Sequence, residues 1–403
     1  MIPLLLLVMA AEPPPDTQLF DRARANMVQI LARQPNYVCV ETIDRSERAK
    51  PKARFETVDS LRLEVEFVDK HELYAWPGSK KFDETNILDL VPEGSSIGTG
   101  AFAGHAQILF HTNAAIVNGG YWVTEDGKRM ARFLFTVPVS RSRYLLMKSR
   151  KVADVVGYSG DIWIEADTAR VAKVALHAVD IPARLDIQST QTVIKYGETK
   201  IGTGSFWLPA ESIEEVTTSD ARTDRNVTTF SGCRAFLGES MLRFDDPAEA
   251  ASLPVTAEPA KAVDLPVGTT FQIEFGAEVD SRKIHVGDPV PAALASDIKH
   301  NGQILFAKGS AVEMRIVRVQ RIGNWIGMEF ALGDVTATGA VARLWALPIV
   351  MPEASSARNA PQIQRDDKRP GMGTLVVGGN HMVIRRGFEM PWTIVVPARR
   401  KVQ

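Results

Sequence analysis

The chain has 403 residues, of which 45 % are hydrophobic and 24 % charged, and its formal net charge is -1. This composition is typical of a globular protein and excludes a disordered chain, while the length predicts two or three domains. With almost no net charge and no block of Lys and Arg, the chain has no field that would attract nucleic acid, so no nucleic-acid partner is predicted.

An apolar run is the first feature along the chain. Residues 4–11 are apolar and end in two alanines, and three prolines follow at positions 13–15. This pattern is typical of a secretory signal peptide, so residues 1–15 are predicted to be a leader and the protein to be exported, to the periplasm or elsewhere in the cell envelope. An apolar tail without a targeting role is the alternative. The run is too short to cross a bilayer, and no transmembrane segment is predicted elsewhere.

Helical periodicity follows the prolines. Apolar side chains recur at helical spacing over residues 16–33: Leu19, Phe20, Ala23, Met27, Ile30 and Leu31. Asp16 or Thr17 can cap the first turn, and Pro35 ends the segment because the residue before a proline avoids helical geometry. One amphipathic helix is therefore predicted here.

From residue 38 the apolar period changes to two, which indicates β-strands. The clearest case is residues 61–68, where four apolar side chains alternate with charged ones, as in a half-buried antiparallel strand. A glycine-rich turn (94–104) and a short helix (103–110) interrupt the pattern. Other strands are predicted at 38–45, 72–76, 121–124, 130–137, 161–166, 171–179, 190–196, 211–218 and around residue 233. Residues 16–244 are thus predicted to be an α+β domain.

The second half of the chain begins with a change of composition. Residues 245–263 are rich in Ala, Pro and Glu and lack periodicity, so they are predicted to be a linker. Short strands punctuated by glycine follow from 265 to 348 and return at 374–396, which favours a second small β-barrel or sandwich at 264–403. Polar residues at 353–371 predict a mobile loop within it. The fold class is therefore mainly β.

The two cysteines lie far apart in sequence but in similar surroundings. Cys39 and Cys233 each occupy a strand-like segment, the first and the last of the N-terminal domain. In an oxidising compartment an even count favours a disulfide, which would join these two strands. Two buried free thiols are the alternative.

Several patterns resemble catalytic or metal-binding motifs without completing one. Residues 98–104 (GTGAFAG) are spaced one residue too widely for a dinucleotide fingerprint and have no βαβ context, so a turn is the interpretation. None of the seven histidines lies at ligand spacing from another ligand type. We therefore predict a non-enzyme without metal or cofactor; a glycosidase-like carboxylate pair is the alternative that the sequence leaves open.

Aromatic side chains are frequent in the predicted strands of the N-terminal domain. Five of them are candidates for lining a cavity for a lipid or another apolar ligand: Trp76, Trp122, Trp163, Phe206 and Trp207. The alternative is that they belong to the core, as aromatic residues on strands often do.

Residues 156–174 (VGYSGDIWIEADTARVAKV) resemble the strand-turn-strand signature of lipoprotein-carrier and lipoprotein-sorting proteins of the LolA/LolB type. The resemblance covers about residues 16–245. It implies an N-terminal helix followed by a strongly curved antiparallel sheet, a half-barrel that wraps apolar cargo.

The C-terminal part resembles the β-barrel domain of TrbI-like conjugation-scaffold proteins. The similar segments are residues 265–275 (LPVGTTFQIEF), 279–294 (VDSRKIHVGDPVPAAL) and 302–312 (GQILFAKGSAV). The motif residues Gly268, Gly287 and Gly309 would have structural roles in turns. The two domains together resemble envelope proteins of acidobacteria.

Two hypotheses follow for a non-catalytic protein of the cell envelope. In the first, the half-barrel binds a lipid or acyl chain and the C-terminal barrel docks to an envelope protein. In the second, the protein is a structural or scaffold component of an envelope or secretion-type assembly, without a ligand. An apolar cavity of several hundred cubic ångströms would favour the first.

Overall fold

A computed structural model describes residues 13–33, 36–68, 71–79, 87, 97–112, 114–149, 151–235, 260–350 and 361–396. The chain is mainly β, with a strongly curved half-barrel sheet and a short N-terminal helix, which confirms the predicted fold class. Among the described helices, none is long and apolar enough to cross a membrane. Most of the predicted leader and linker lies outside the described residues.

Helix α1 (Thr17–Arg33) has the apolar face that the sequence predicts. Leu19, Phe20, Ala23 and Met27 are buried. The carboxylate of Asp16 accepts the backbone N–H of Gln18 at 3.0 Å, which satisfies one of the amide groups left without a partner in the first turn.

Within the described residues, eleven antiparallel strands form the N-terminal sheet. In space its main path runs β3-β2-β1-β11-β10-β9-β8-β7-β5-β4, and β6 pairs with the first half of β7. The strands are β1 (Tyr37–Arg48), β2 (Glu56–Val68), β3 (His71–Ala75), β4 (Ile116–Glu125), β5 (Lys128–Val137), β6 (Tyr144–Ser149), β7 (Val152–Glu165), β8 (Val171–Val179), β9 (Ile187–Ile201), β10 (Gly204–Thr218) and β11 (Thr223–Ala235).

Alternation along the strands separates an inner from an outer face. On β5 the side chains of Phe133 and Phe135 are buried in the core, whereas Leu134 between them is 41 % exposed. Helix α1 packs against this inner apolar surface, and Phe20 meets Phe133 edge-on with ring centroids 5.7 Å apart. The helix therefore fills one part of the half-barrel.

The disulfide between Cys39 and Cys233 is present, as the first of the two sequence alternatives predicts. It joins β1 to β11, which are neighbours in the sheet although 194 residues separate the cysteines. The register of the two strands shifts between Val38 and Val40, and Gly232 adopts a φ of +56° at this irregularity. The bridge thus lies at a β-bulge near the start of β1 and the end of β11.

The C-terminal part forms a second, ten-stranded sheet around its own core, flanked by two small two-stranded sheets. Its described strands are β12 (Lys261–Ala262), β13 (Thr270–Phe275), β14 (Val279–Asp280), β15 (Ala292–Leu294), β16 (Ile298–His300), β17 (Gln303–Phe306), β18 (Ala311–Ile322), β19 (Trp325–Ala337), β20 (Ala340–Arg343), β21 (Ala346–Pro348), β22 (Gln362–Gln364), β23 (Met372–Gly378), β24 (Val383–Ile384) and β25 (Glu389–Ile394).

Two sequence predictions fall partly on this region. Within the predicted linker, β12 is a short strand that pairs in parallel with β20. Within the predicted mobile loop 353–371, β22 pairs with β23, while residues 353–360 lie outside the described part. The domain boundaries themselves stay predictions.

The two sheets touch through the loop between β14 and β15. The Val286 N–H donates to the Ser60 carbonyl at 2.8 Å, and the Arg62 N–H donates to the Val286 carbonyl at 2.7 Å. Leu61 and Val286 therefore form a parallel β-bridge, and Val286 belongs to the core of the N-terminal sheet.

Side chains reinforce this junction. The guanidinium of Arg62 donates to the carboxylate of Asp288 at 2.9 Å. Arg315 donates to the Pro77 carbonyl at 3.2 Å and lies 5.8 Å from the ring centroid of Trp76. Backbone and side-chain bonds together fix how the loop meets β2.

We expect Gly287→Ala to weaken this junction. Gly287 has a φ of +104°, and an added Cβ would overlap the Arg62 carbonyl oxygen and lie 2.8 Å from the Trp76 ring. Strain and overpacking together should lower the free energy of unfolding in urea by about 3 kcal/mol or more.

Gly309→Ala is the matched control, because Gly309 also has a positive φ (+86°) but nothing lies within 4 Å of an added Cβ. Gly309→Ala should lower the free energy of unfolding by about 1–2 kcal/mol, from backbone strain alone. Equal losses in the two variants would show that the contact with β2 contributes nothing.

Candidate functional site

A segment of the chain itself covers the part of the inner face that α1 leaves free. Residues 97–112, here called the cover segment, contain a short helix (Gly104–Ala106) that continues as a π-helical turn (Gln107–His111). Phe102 and Phe110 from this segment are only 3 % and 0 % exposed. Helix α1 and the cover segment therefore occupy the space that an apolar ligand would need.

A single carboxylate on β3 holds the centre of the cover segment. Oε2 of Glu72 accepts the Gly100 N–H at 2.7 Å, and Oε1 accepts the N–H groups of Ala103 and Gly104 at 2.9 and 3.0 Å. The Tyr74 hydroxyl donates to Oε2 at 2.6 Å. Three backbone donors that would otherwise lack partners are thus satisfied by a charged acceptor, which makes these bonds strong.

The start of the cover segment is held by a second glutamate, on β10. Glu214 accepts the Gly98 N–H and, at 3.3 Å, an amide N–H of Asn226. Its carboxyl group occupies the place where a Cβ at position 98 would be, so a larger residue there would displace the Glu214 side chain. Burial raises the pKa of Glu214.

Further along the cover segment, His105 is buried among tyrosines. Its ring meets those of Tyr144 and Tyr158 edge-on, with centroids 5.7 and 6.2 Å apart. Burial lowers the pKa of His105, although the nearby Glu72 charge acts in the opposite direction. This imidazole is therefore neutral at ordinary pH.

A small polar cavity lies beneath the cover segment. It has a volume of about 20 Å³, which is room for one or two water molecules. Its walls come from β1, β3, β9, β10, β11 and the start of the cover segment: Glu41, Ile43, Tyr74, Ile97, Gly98, Thr99, Ala101, Thr192, Ser212, Glu214, Asn226 and Thr228.

Acidic groups dominate the electrostatics of this cavity. The pKa of Glu41 is raised well above its usual range by burial and by the charge of Glu72. The pKa of the Tyr74 hydroxyl is likewise raised by burial and by the charges of Glu72, Glu41 and Glu214. Oε2 of Glu41 is buried and has no hydrogen-bond partner.

The five aromatic residues proposed from the sequence as cavity-lining do not line this cavity, and they lie in different parts of the sheet. Trp163 lies on the outer face, where Arg132 and Lys173 stack on its ring at 4.7 and 4.0 Å. Trp76 lies at the junction with the second sheet, beneath Arg315. These two residues therefore contact cations.

The other three aromatic residues pack against the cores of the N-terminal sheet. Trp122 donates its indole N–H to the Pro13 carbonyl at 3.0 Å, and Trp207 donates to the Val171 carbonyl at 2.7 Å. Phe206 packs against the cluster that contains Phe102. Their predicted role in ligand binding stays a prediction.

The glutamates and hydroxyl residues of the cavity were not among the sequence candidates. One feature of the sequence could have indicated them: β10 and β11 carry polar residues on both faces. On β11, Asn226 and Thr228 point inward and are buried, while Arg225 and Thr229 occupy the alternate positions. Polar residues on both sides of a strand indicate that the inner surface itself is polar.

No group of three or more His, Cys, Asp or Glu side chains is placed to hold a metal ion in the part of the chain that the structure describes.

We expect Glu72→Gln to loosen the cover segment. Glutamine has one acceptor oxygen where glutamate has two, so its NH₂ group must face at least one backbone N–H donor. Loss of a charged hydrogen bond should increase amide hydrogen exchange at Gly100, Ala103 and Gly104 about tenfold to hundredfold.

Glu198→Gln serves as the control for this variant, because Glu198 is exposed and accepts only the Ser205 hydroxyl among the bonds described. In Glu198→Gln, amide hydrogen exchange in the cover segment should stay at the wild-type rate. If Glu72→Gln also leaves the rate unchanged, the carboxylate does not hold the segment.

Comparison with known proteins assigns no family to this chain. No protein-family model and no curated protein matches the chain. Solved structures with detectable similarity include a DUF1329 family protein from Desulfovibrio piger, with 14 % sequence identity over 57 % of this chain and 96 % of its own, and a TM-score of 0.30. MucB, crystallised in complex with MucA(peri), shares 12 % identity over 91 % of this chain and 100 % of its own, with a TM-score of 0.17.

Proposed function

We propose that this protein is an exported, non-catalytic component of the cell envelope that acts through contacts with other proteins. The observation that carries the proposal is the filled half-barrel: α1 and the cover segment pack on its inner face, and the cavity beneath the cover measures only about 20 Å³. Export is supported by the disulfide, because such bonds persist in oxidising compartments, and by the leader-like apolar run.

Exposed apolar side chains on the outside supply candidate contact surfaces. Leu145 on β6 and Val155 on β7 lie opposite each other and are 51 % and 44 % exposed, and Val139 just before β6 is 58 % exposed. On the second sheet, Trp325 and Trp345 are 44 % and 40 % exposed. Exposed aromatic and aliphatic groups of this kind are common at protein interfaces.

A photo-reactive amino acid placed at Leu145 or at Trp325 in the producing cells would test the proposal. We expect one recurrent protein adduct from at least one of these sites and none from a control at Glu198, which is also exposed. The adduct at Leu145 should disappear when Val155→Asp is added, because Val155 lies opposite Leu145 on the neighbouring strand. Absence of any site-specific adduct would contradict the proposal.

The second candidate, binding of a lipid or acyl chain, is favoured by one specific observation: polar bonds from Glu72 and Glu214 hold the cover segment, and such bonds can open without breaking the sheet. Native mass spectrometry and solvent extraction of the purified protein would detect the ligand. Bound lipid that increases in Glu72→Gln would support this candidate, whereas lipid-free protein in both forms would support the first.

A further inference from the structure

The cavity beneath the cover segment has both apolar and polar walls, and its polar wall carries several oxygen-bearing side chains. Four of these side chains are at least nine-tenths buried: Glu41, Thr192, Ser212 and Thr228 are only 4 %, 4 %, 3 % and 6 % exposed. They come from four different strands, β1, β9, β10 and β11. Carboxylate and hydroxyl oxygens that converge on one small space are the donors that hard cations prefer.

We propose that this cavity binds one monovalent alkali cation, with the Glu41 carboxylate as its charged ligand and the neighbouring hydroxyl oxygens completing the site. Oε2 of Glu41 is buried without a hydrogen-bond partner. A buried polar atom of this kind is rare in folded proteins, and coordination to an ion would satisfy it. The inference stands whether or not the proposed role in protein contacts is correct.

A cation would have to replace the proton that burial and the charge of Glu72 favour on Glu41, whose pKa they raise. No basic side chain is among the groups that shift the pKa of Glu41 or of Glu214. Arg45, which lies further along β1, is bound through two nitrogens to Asp59, and His105 on the cover segment is buried with a lowered pKa. Desolvated carboxylates without a counter-ion are unfavourable, so a cation from solution would complete the balance and displace the proton of Glu41.

Size and ligand count favour a monovalent ion. The cavity volume of about 20 Å³ admits one dehydrated ion but not a hydrated one. Mg²⁺ keeps several of its waters, and Ca²⁺ takes six to eight oxygens with several carboxylates. The described residues contain no group of three acidic or imidazole ligands that would serve either ion.

The test compares the thermal stability of the full chain at alkaline pH in equal concentrations of sodium, potassium and choline chloride, since choline is too large for the cavity. We expect Tm to be higher in sodium or potassium chloride than in choline chloride, by about 5 °C at 100 times Kd. Broadening of the ²³Na resonance by the protein would report binding of the sodium ion directly.

Glu41→Gln keeps the shape of the side chain and removes its charge, so it should abolish both the ion-specific Tm difference and the ²³Na broadening. Glu66→Gln is the matched control, because Glu66 is also buried and has an unpartnered Oε2 but does not line the cavity; it should behave as wild type. Should Glu41→Gln fail to fold, Ser212→Ala should weaken the ion response instead. Equal Tm in the three salts without ²³Na broadening would overturn the proposal and leave the cavity to water.

Discussion

Replacing both Cys39 and Cys233 by alanine should lower the free energy of unfolding by about 5 kcal/mol. The bridge closes a loop of 194 residues, and in the loop-entropy account the stabilisation grows with the logarithm of loop length because the unfolded chain loses more freedom. Cys39 is only 1 % exposed, and its loss also removes a small buried apolar group. A loss of this size is comparable with the whole stability of a typical domain.

Urea denaturation of wild type and of the double variant, each with and without reductant, measures this effect. Reductant should move the wild-type midpoint towards that of the double variant and leave the variant unchanged. Titration of thiols in unreduced, denatured wild-type protein is an independent check, and two reactive thiols would exclude the bridge.

Sequence periodicity was sufficient to predict the elements whose two faces differ in polarity. Helix α1 occurs where the pattern places it, and β2 includes the predicted strand 61–68 but begins earlier, at Glu56. On the charged face of β2, Glu64 and Glu66 are buried, which the pattern of a half-buried strand did not predict. The pairing of Cys39 with Cys233 was also predictable, because each lies in a strand-like segment of the same domain. These inferences depend on local pattern and on a count of two cysteines.

Strand β6 was not predicted, and the glutamates of the cavity were not recognised as a site. In β6 (Tyr144–Ser149) the exposed Leu145 and the buried Leu146 are both apolar, so the sequence does not alternate between apolar and polar residues. The strand pairs with the first half of β7, and β5 pairs with the second half. Glu41 and Glu214 resemble ordinary exposed carboxylates on alternating strands. Glu41 is buried and Glu214 is partly buried because residues far away in sequence, 97–101, lie over them. A local pattern contains no information about that contact.

The cover segment is a second example of contacts between residues that are distant in sequence. Its glycines at 98 and 100 were interpreted from the sequence as a flexible turn. In the folded chain Gly98 leaves room for the Glu214 carboxyl group, and the Gly100 N–H binds Glu72. Both glutamates lie on segments that the sequence predicts as strands, without any sign that they contact this turn. The sequence alone therefore does not show which strands this glycine-rich turn contacts; the order of the strands in the sheet is needed for that.

The buried ion pair between Arg45 and Asp59 gives the second large expected effect. The guanidinium Nε and NH2 groups donate to the two carboxylate oxygens at 2.6 and 2.5 Å, and the residues are 6 % and 7 % exposed. Asp59→Asn keeps the volume but leaves the Arg45 charge without its counter-charge. We expect this variant to lose about 3–5 kcal/mol of unfolding free energy in urea denaturation.

Replacement of both partners separates the energy of the pair from the energy of leaving one charge unpaired. Arg45→Met combined with Asp59→Leu removes both charges and keeps an apolar filling, so its stability should be close to or above that of wild type. Asp186→Asn is the control at an exposed pair, since Asp186 and its partner Lys148 are about half exposed; it should change the midpoint little. If Asp59→Asn were as mild as this control, water would have to reach Arg45, and the inner face near β1 and β2 would be open rather than closed.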